Sequence, residues 1–343
     1  MKAARWKSLS LVLVVLSLVL VSCNTEAESQ DSPEVLAEEA AAPSSEDTEE
    51  EPQEAEAPAE EETANAEAEE DPGLPPLPAD VVELVITMED GRALEAKYYP
   101  AAHNPAPIIV LMHWAGGDIG DWDEIAPWLQ NRGLGSAGAA RARGTQVQGL
   151  DPWMDPSWFP EMPEDASFGV LSFSFGDFGN SPAGPNIPEN WMEEALAAIQ
   201  TASELEGVDA TQIAALGASI GADGAVDGCY LFNETSATGQ CVGALSLSPG
   251  DYLTTEFTYA EAVTSLDERE IPVWCLTAEG DIPSYVTCGS AEGTHYQQFI
   301  YAGAEHGMRL VRPDAESMDP ATGVDTLVLI QDFLELVFGI ALN

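Results

Sequence analysis

Basic side chains are what this 343-residue chain has least of: 11 Lys and Arg stand against 60 Asp and Glu, for a formal net charge of −49. Phosphate binding needs basic patches, so nucleic acid is not expected as a partner. Histidine is scarcer still. Only His103, His113, His295 and His306 occur, and there is no C-x-x-C spacing or neighbouring His pair, which argues against a zinc site; no metal is expected. The chain also lacks internal repeats and, beyond its first two dozen residues, a second long apolar run. From about residue 80 to Asn343 it reads as one domain's worth of chain. Within it the basic residues are Arg92, Lys97, Arg132, Arg141, Arg143, Arg269, Arg309 and Arg312. The acidity therefore extends into the domain, and suits an exported or salt-exposed surface.

Lys2, Arg5 and Lys7 precede the apolar run Leu9–Val21. It is too short for a comfortable membrane span and has the basic flank of a secretory signal. The run ends in Leu20-Val21-Ser22-Cys23, which resembles the lipobox of bacterial lipoproteins. That resemblance implies a signal peptide over 1–22, lipidation of Cys23, and an exported protein held at a cell-envelope membrane. Residues 23–79 are dominated by Glu, Ala, Pro, Ser and Thr, with no Lys or Arg between Lys7 and Arg92. Such a segment cannot bury enough apolar surface to offset its ordering entropy, and its like charges repel. It reads as a disordered tether with a reach of about 40 Å, a solvated spacer rather than an acidic partner-binding tail.

The apolar runs beyond the tether alternate in length and period. Val81–Met88 and Ala93–Tyr99 read as strands joined by Glu89-Asp90-Gly91-Arg92, a tight-hairpin signal. Pro107–Met112, Phe168–Phe173, Ile213–Leu216, Val242–Leu247, Pro272–Thr277 and Gln297–Tyr301 read as buried strands, while Trp122–Asn131, Trp191–Glu204, Ala222–Tyr230 and Thr326–Phe338 have helical spacing. Trp122 and Trp128 read as helix-face core. A hairpin followed by alternating strands and helices predicts an α/β domain: a mostly parallel sheet of about eight strands, with helices on both faces.

In such sheets reactive groups collect beyond the carboxyl ends of the strands. Gly217-Ala218-Ser219-Ile220-Gly221 fits G-x-S-x-G, the strained strand-to-helix turn that lifts a serine above a sheet, with a strand before it and a helix after it. His113-Trp114-Ala115-Gly116-Gly117 follows one strand, Phe178-Gly179-Asn180-Ser181 another, and Asp251, Asp281 and His306 follow later ones. Taken in this order, from about Val81 to the C-terminus, these stretches resemble the α/β-hydrolase family. His113–Gly117 is similar to its H-G-x-G-G oxyanion loop, with Trp114 in place of a glycine. Residues 178–181 are similar to the end of its R-G-x-G-x-S segment, with Asp177 in place of the first glycine.

The resemblance implies nucleophilic acyl transfer by Ser219, with His306 as base and Asp281 as acid. It also implies backbone N–H groups of Ala115 and Ile220 as oxyanion donors, and no cofactor. Asp251 is the rival acid, since some members of the family take it from the preceding strand, and Glu279 a weaker one. His113 is usually structural in this family, and His295 stands at the wrong end of its strand.

The expected activity is an exported, lipid-anchored, monomeric serine hydrolase of a small-molecule carboxylic ester, thioester or amide. The alternative is a surface binding module that keeps the fold without turnover. Residues 132–166, with Trp153, Met154, Trp158, Phe159 and Met162, form an insertion after the first helix: a cap over Ser219 or a packed excursion. Cys229, Cys241, Cys275 and Cys288 are an even set in an exported chain, which argues for two disulfides. Three connectivities are open; the nearest-neighbour one closes two short loops. Asn233-Glu234-Thr235 is a glycosylation sequon by pattern, and in a bacterial lipoprotein reads as a chance match.

Overall fold

The computed structural model of the chain describes residues 80–131, 154–163, 165–181, 188–314 and 325–342. The signal segment, Cys23, the acidic stretch to residue 79 and most of the insertion (132–153) lie outside the described residues.

One eight-stranded sheet organises the rest, in the order β1-β2-β4-β3-β5-β6-β7-β8. Strands β1 (Val82–Thr87) and β2 (Ala93–Tyr99) form the expected hairpin. β2 pairs antiparallel with β4 (Gly169–Phe173). From β4 onward all pairs are parallel: β3 (Ala106–Met112), β5 (Val208–Ala218), β6 (Cys241–Leu247), β7 (Val273–Ala278) and β8 (Tyr296–Tyr301). The central strands read as unbroken apolar runs because both faces are covered, as parallel sheets require.

Alternate side chains feed two cores. Val110, Met112 and Ala215 face helices α2 (Pro188–Glu204), α3 (Ile220–Thr235) and α4 (Tyr259–Asp267). Ile109, Leu111 and Leu216 face α1 (Ile125–Gln130) and α6 (Thr326–Phe338). Trp122 and Trp128 are buried in this second core, as their spacing predicts.

Beyond shifts at element ends, three elements differ from the sequence reading. β5 is longer than Ile213–Leu216, because Val208–Gln212 continue the strand at its half-exposed end. α4 has no counterpart in the sequence reading, although Tyr259, Ala262, Val263 and Leu266 stand at helical spacing on its buried face; a full capping box between Thr258 and Glu261 starts it. Helix α5 (Ile282–Ser290) begins with Pro in its first turn directly after Asp281, where Gly-Asp-Ile-Pro reads as a loop.

The described end of the insertion settles onto the second core. Met154 and Phe159 are buried, and Phe159 meets Trp128 with ring centroids 5.5 Å apart. Trp128 Nε1 donates to the Pro160 carbonyl, and Asn131 Nδ2 to those of Pro163 and Ala166. Gln331 on α6 donates to the Glu161 carbonyl. This part is a packed excursion against α1 and α6, so Met154, Trp158, Phe159 and Met162 pack on the second core; the rest of the 132–166 stretch read as a cap or a packed excursion, 132–153 with Trp153, lies outside the described residues.

The cysteines join nearest neighbours, Cys229–Cys241 and Cys275–Cys288, across sequence separations of 12 and 13. All four are fully buried. The first loop is closed a second time: Asn233 Nδ2 donates to the Cys241 carbonyl, and Asn233 Oδ1 accepts the Cys241 N–H. The sequon asparagine is thus committed to the fold. Each bridge constrains the unfolded chain by about 3 kcal/mol, so reduction should lower the melting temperature by roughly 10 °C per bridge. Thermal melts with and without reductant check this, and an unchanged melting temperature after complete alkylation would remove the bridges from the stability account.

Candidate active site

The parallel strands end in register. Met112 is level with Gly217, Gly217 with Ser246, and Ser246 with Cys275, so the segments that follow β3, β5, β6 and β7 emerge on one rim. Ser219 leaves β5 at φ 53° and ψ −115°, a conformation that an L-residue adopts at a cost of about 1–3 kcal/mol. The flanking glycines make the turn passable. A Cβ on Gly217 would stand 1.8 Å from the Gly221 carbonyl oxygen, and one on Gly221 would stand 2.3 Å from that of Met112. The Ser219 N–H is held by the Leu247 carbonyl at 2.8 Å, and α3 starts at once, with the Ser219 carbonyl accepting from Ala222. Ile220 is the first residue of that helix, so its N–H is one of the donors that no helical carbonyl satisfies.

His306 Nδ1 lies 2.7 Å from Asp281 Oδ2. A carboxylate only accepts, so Nδ1 carries the hydrogen in this pair, and Nε2 is the nitrogen left to face the serine. The Asp281 side chain is 9% exposed and that of His306 32% exposed. Among the described residues no hydrogen bond links Ser219 Oγ to His306, a contact that commonly tightens only around substrate. Trp114 stands over the pair, its ring stacked with that of His306 at 6.5 Å between centroids and 28° between planes.

The other sequence candidates go elsewhere. His113 is fully buried, donates from Nδ1 to the Trp114 carbonyl at 2.7 Å, and accepts the Phe175 N–H on Nε2 at 2.9 Å. Burial pushes its imidazole down to about 4, so the ring is neutral and fixes the loop that carries Ala115. His295 pairs with Asp267 at the far end of β8, and His103 is exposed. Asp251 accepts the Tyr259 N–H at the start of α4. The structure therefore brings Asp281, and not Asp251, to His306.

The 174–181 segment is bracing. Glu95 accepts from Ser174 Oγ, Asn180 N and Asn180 Nδ2 at 2.7–2.9 Å, and Ser181 Oγ donates to the Ser174 carbonyl. Asp177 sits at φ 73°, which is why a glycine is at home there in the family it resembles.

Two buried carboxylates on α3 were not singled out from sequence. Asp223 accepts the N–H groups of Gly250, Asp251 and Tyr252, and Asp227 has one oxygen with no partner among the described residues. Burial is the largest cause pushing both carboxyls up, and each sits in the field of neighbouring carboxylates. The signal was present: two aspartates four apart among Ala, Gly, Val and Cys lie on one helix face that has no exposed stripe.

No protein-family model matches the sequence, and no curated protein matches it. Solved structures do resemble it in shape. The α/β hydrolase GrgF from Penicillium sp. sh18 is 13% identical, with 76% of this chain and 100% of that one covered at a TM-score of 0.50. A Pyrococcus furiosus esterase is 11% identical, with 75% and 91% covered at a TM-score of 0.49. At these identities the likeness is one of architecture. Together with the strand order, the likeness to GrgF shows that the chain has the α/β-hydrolase fold.

Proposed function

We propose that this protein is a serine hydrolase of carboxylic esters, working through Ser219, His306 and Asp281 and an acyl-enzyme. The observation that carries the reading is the 2.7 Å contact between His306 Nδ1 and Asp281 Oδ2 on the rim where Ser219 stands at φ 53°. Nε2 of His306 takes the proton of Ser219 Oγ as that oxygen attacks the ester carbonyl carbon. The tetrahedral oxyanion is met by the N–H groups of Ile220 and Ala115. Its collapse breaks the bond to the alkoxy group, which leaves as an alcohol with the proton carried by His306. Water, deprotonated by the same nitrogen, then attacks the acyl carbon, and the acid departs as Ser219 regains its proton. Asp281 holds the imidazole in the required tautomer throughout, and Trp114 walls the acyl side. Thioesters and amides differ only in the leaving group.

A fluorophosphonate probe tests the reading without knowledge of the substrate: it should label Ser219 and no other serine. A protein that resists the probe and turns over no activated ester in an acyl series would be a binding module on the same fold.

The proposal also covers location: export, lipidation of Cys23 and tethering by residues 23–79 rest on the lipobox pattern and the composition of that stretch. Cys23→Ser is expected to move the mature protein from the membrane fraction to the soluble one, read by immunoblot after fractionation. Full retention in the membrane would rule out the lipid anchor and leave the chemistry untouched.

A further inference from the structure

Resting on the serine-hydrolase reading, we propose that Ser248 is a positioning residue for the catalytic base. It belongs to a short segment, Leu247 to Tyr252, that clasps the nucleophile's turn to the histidine's loop. Three kinds of contact carry this. The Leu247 carbonyl holds the Ser219 N–H at 2.8 Å. One residue on, Ser248 Oγ accepts the N–H of Gly307, the residue after His306, at 3.0 Å. Then Gly250, Asp251 and Tyr252 turn their N–H groups onto Asp223 at 3.1, 3.3 and 2.8 Å. Asp223 stands one turn into α3, and its own N–H reaches back to the Ser219 carbonyl at 3.3 Å.

The segment thus grips the serine's residue from both sides and the histidine's loop from one. Ser248 is fully buried, and Gly307 is buried as well, so no water competes for this hydrogen bond. Both residues sit at positive φ, 61° and 58°. The Ser248 backbone conformation is one that glycine would adopt more readily. A serine retained there at a conformational cost points to a use for its hydroxyl, and the structure gives one partner for it. Ser248 is itself anchored to the next strand through its N–H, which donates to the Leu276 carbonyl at 2.8 Å. The arrangement fixes how far His306 stands from Ser219. A displacement of about 1 Å in such a contact costs on the order of 100-fold in rate.

Ser248→Gly is the informative variant, because glycine removes the acceptor while relieving the backbone. Ser248→Ala, which keeps the Cβ at the same φ, is its partner should either fold poorly. The expected result is a fall in kcat of about 10- to 100-fold with KM little changed. The rate of fluorophosphonate labelling at Ser219 should fall in parallel, with the melting temperature close to that of the wild type. A purely structural role would lower the melting temperature and leave kcat and labelling alone. Folded Ser248→Gly with both rates within about twofold of the wild type overturns the inference. Failure of the underlying reading looks different: there the wild type itself neither turns over esters nor takes the probe, and the inference falls with it.

Discussion

Ser219→Ala should abolish ester hydrolysis, with a loss of at least about 10⁴-fold in kcat/KM, while the domain keeps its melting temperature. The size follows from the role. Without the hydroxyl there is no acyl-enzyme, and only binding and the oxyanion donors remain to act on a water molecule. The unchanged stability follows from the geometry. Ser219 already places a Cβ at φ 53°, so alanine inherits the same backbone strain and adds none. Its N–H still reaches the Leu247 carbonyl, and its carbonyl still accepts from Ala222. The residue is only 7% exposed, so removing one oxygen leaves a small gap at the turn. Initial rates on a p-nitrophenyl ester series, beside a circular-dichroism melt, make the comparison. Turnover near that of the wild type in the folded variant would remove Ser219 from the mechanism.

The second large effect separates two aspartates. Asp281→Asn should reduce kcat by about 10⁴-fold, since an amide facing His306 Nδ1 can present N–H instead of an acceptor and so favours the wrong tautomer. Asp251→Asn should change kcat by less than about threefold. Its carboxylate accepts the Tyr259 N–H at the start of α4, and asparagine keeps an oxygen for that contact at a cost of a few tenths to about 1 kcal/mol of stability. Steady-state rates of the two variants decide the matter. The reverse ranking would move the acid to the end of β6.

How much of this was legible in the sequence depended on whether an element announces itself locally. Pro107–Met112 and Thr326–Phe338 did, because a run of buried aliphatics or a wide apolar stripe needs no partner to be recognised. The turn around Ser219 did too, since its glycines are demanded by carbonyl oxygens less than 3 Å from where a Cβ would be. Asp281 and Asp251 could not be separated in this way. Both follow a strand, and only the packing of α4 shows that one of them is already engaged. Ser248 and Asp223 were silent for a related reason: their partners are backbone N–H groups, which every sequence has. A buried aspartate in a helix of small residues was the one clue, and it indicates burial without naming what is held. Helix α5 was missed because a proline in a first turn looks, in sequence alone, like a loop that goes on.

The hairpin of β1 and β2 has a mechanical consequence. Among the described strands β1 stands at the outer edge of the sheet, paired with β2 alone, and β2, β4 and β3 lie between it and β5. Tension on the backbone at Asp80 directed away from β2 therefore loads the Val82–Tyr98 pair first and the pairs towards Thr87–Ala93 after it. The strand can be peeled from its neighbour one pair at a time. None of those pairs belongs to the strands that carry Ser219, Asp281 and His306 on their far ends. A pull on this end of the protein would be taken up as a partly unzipped edge, with the reactive rim left standing.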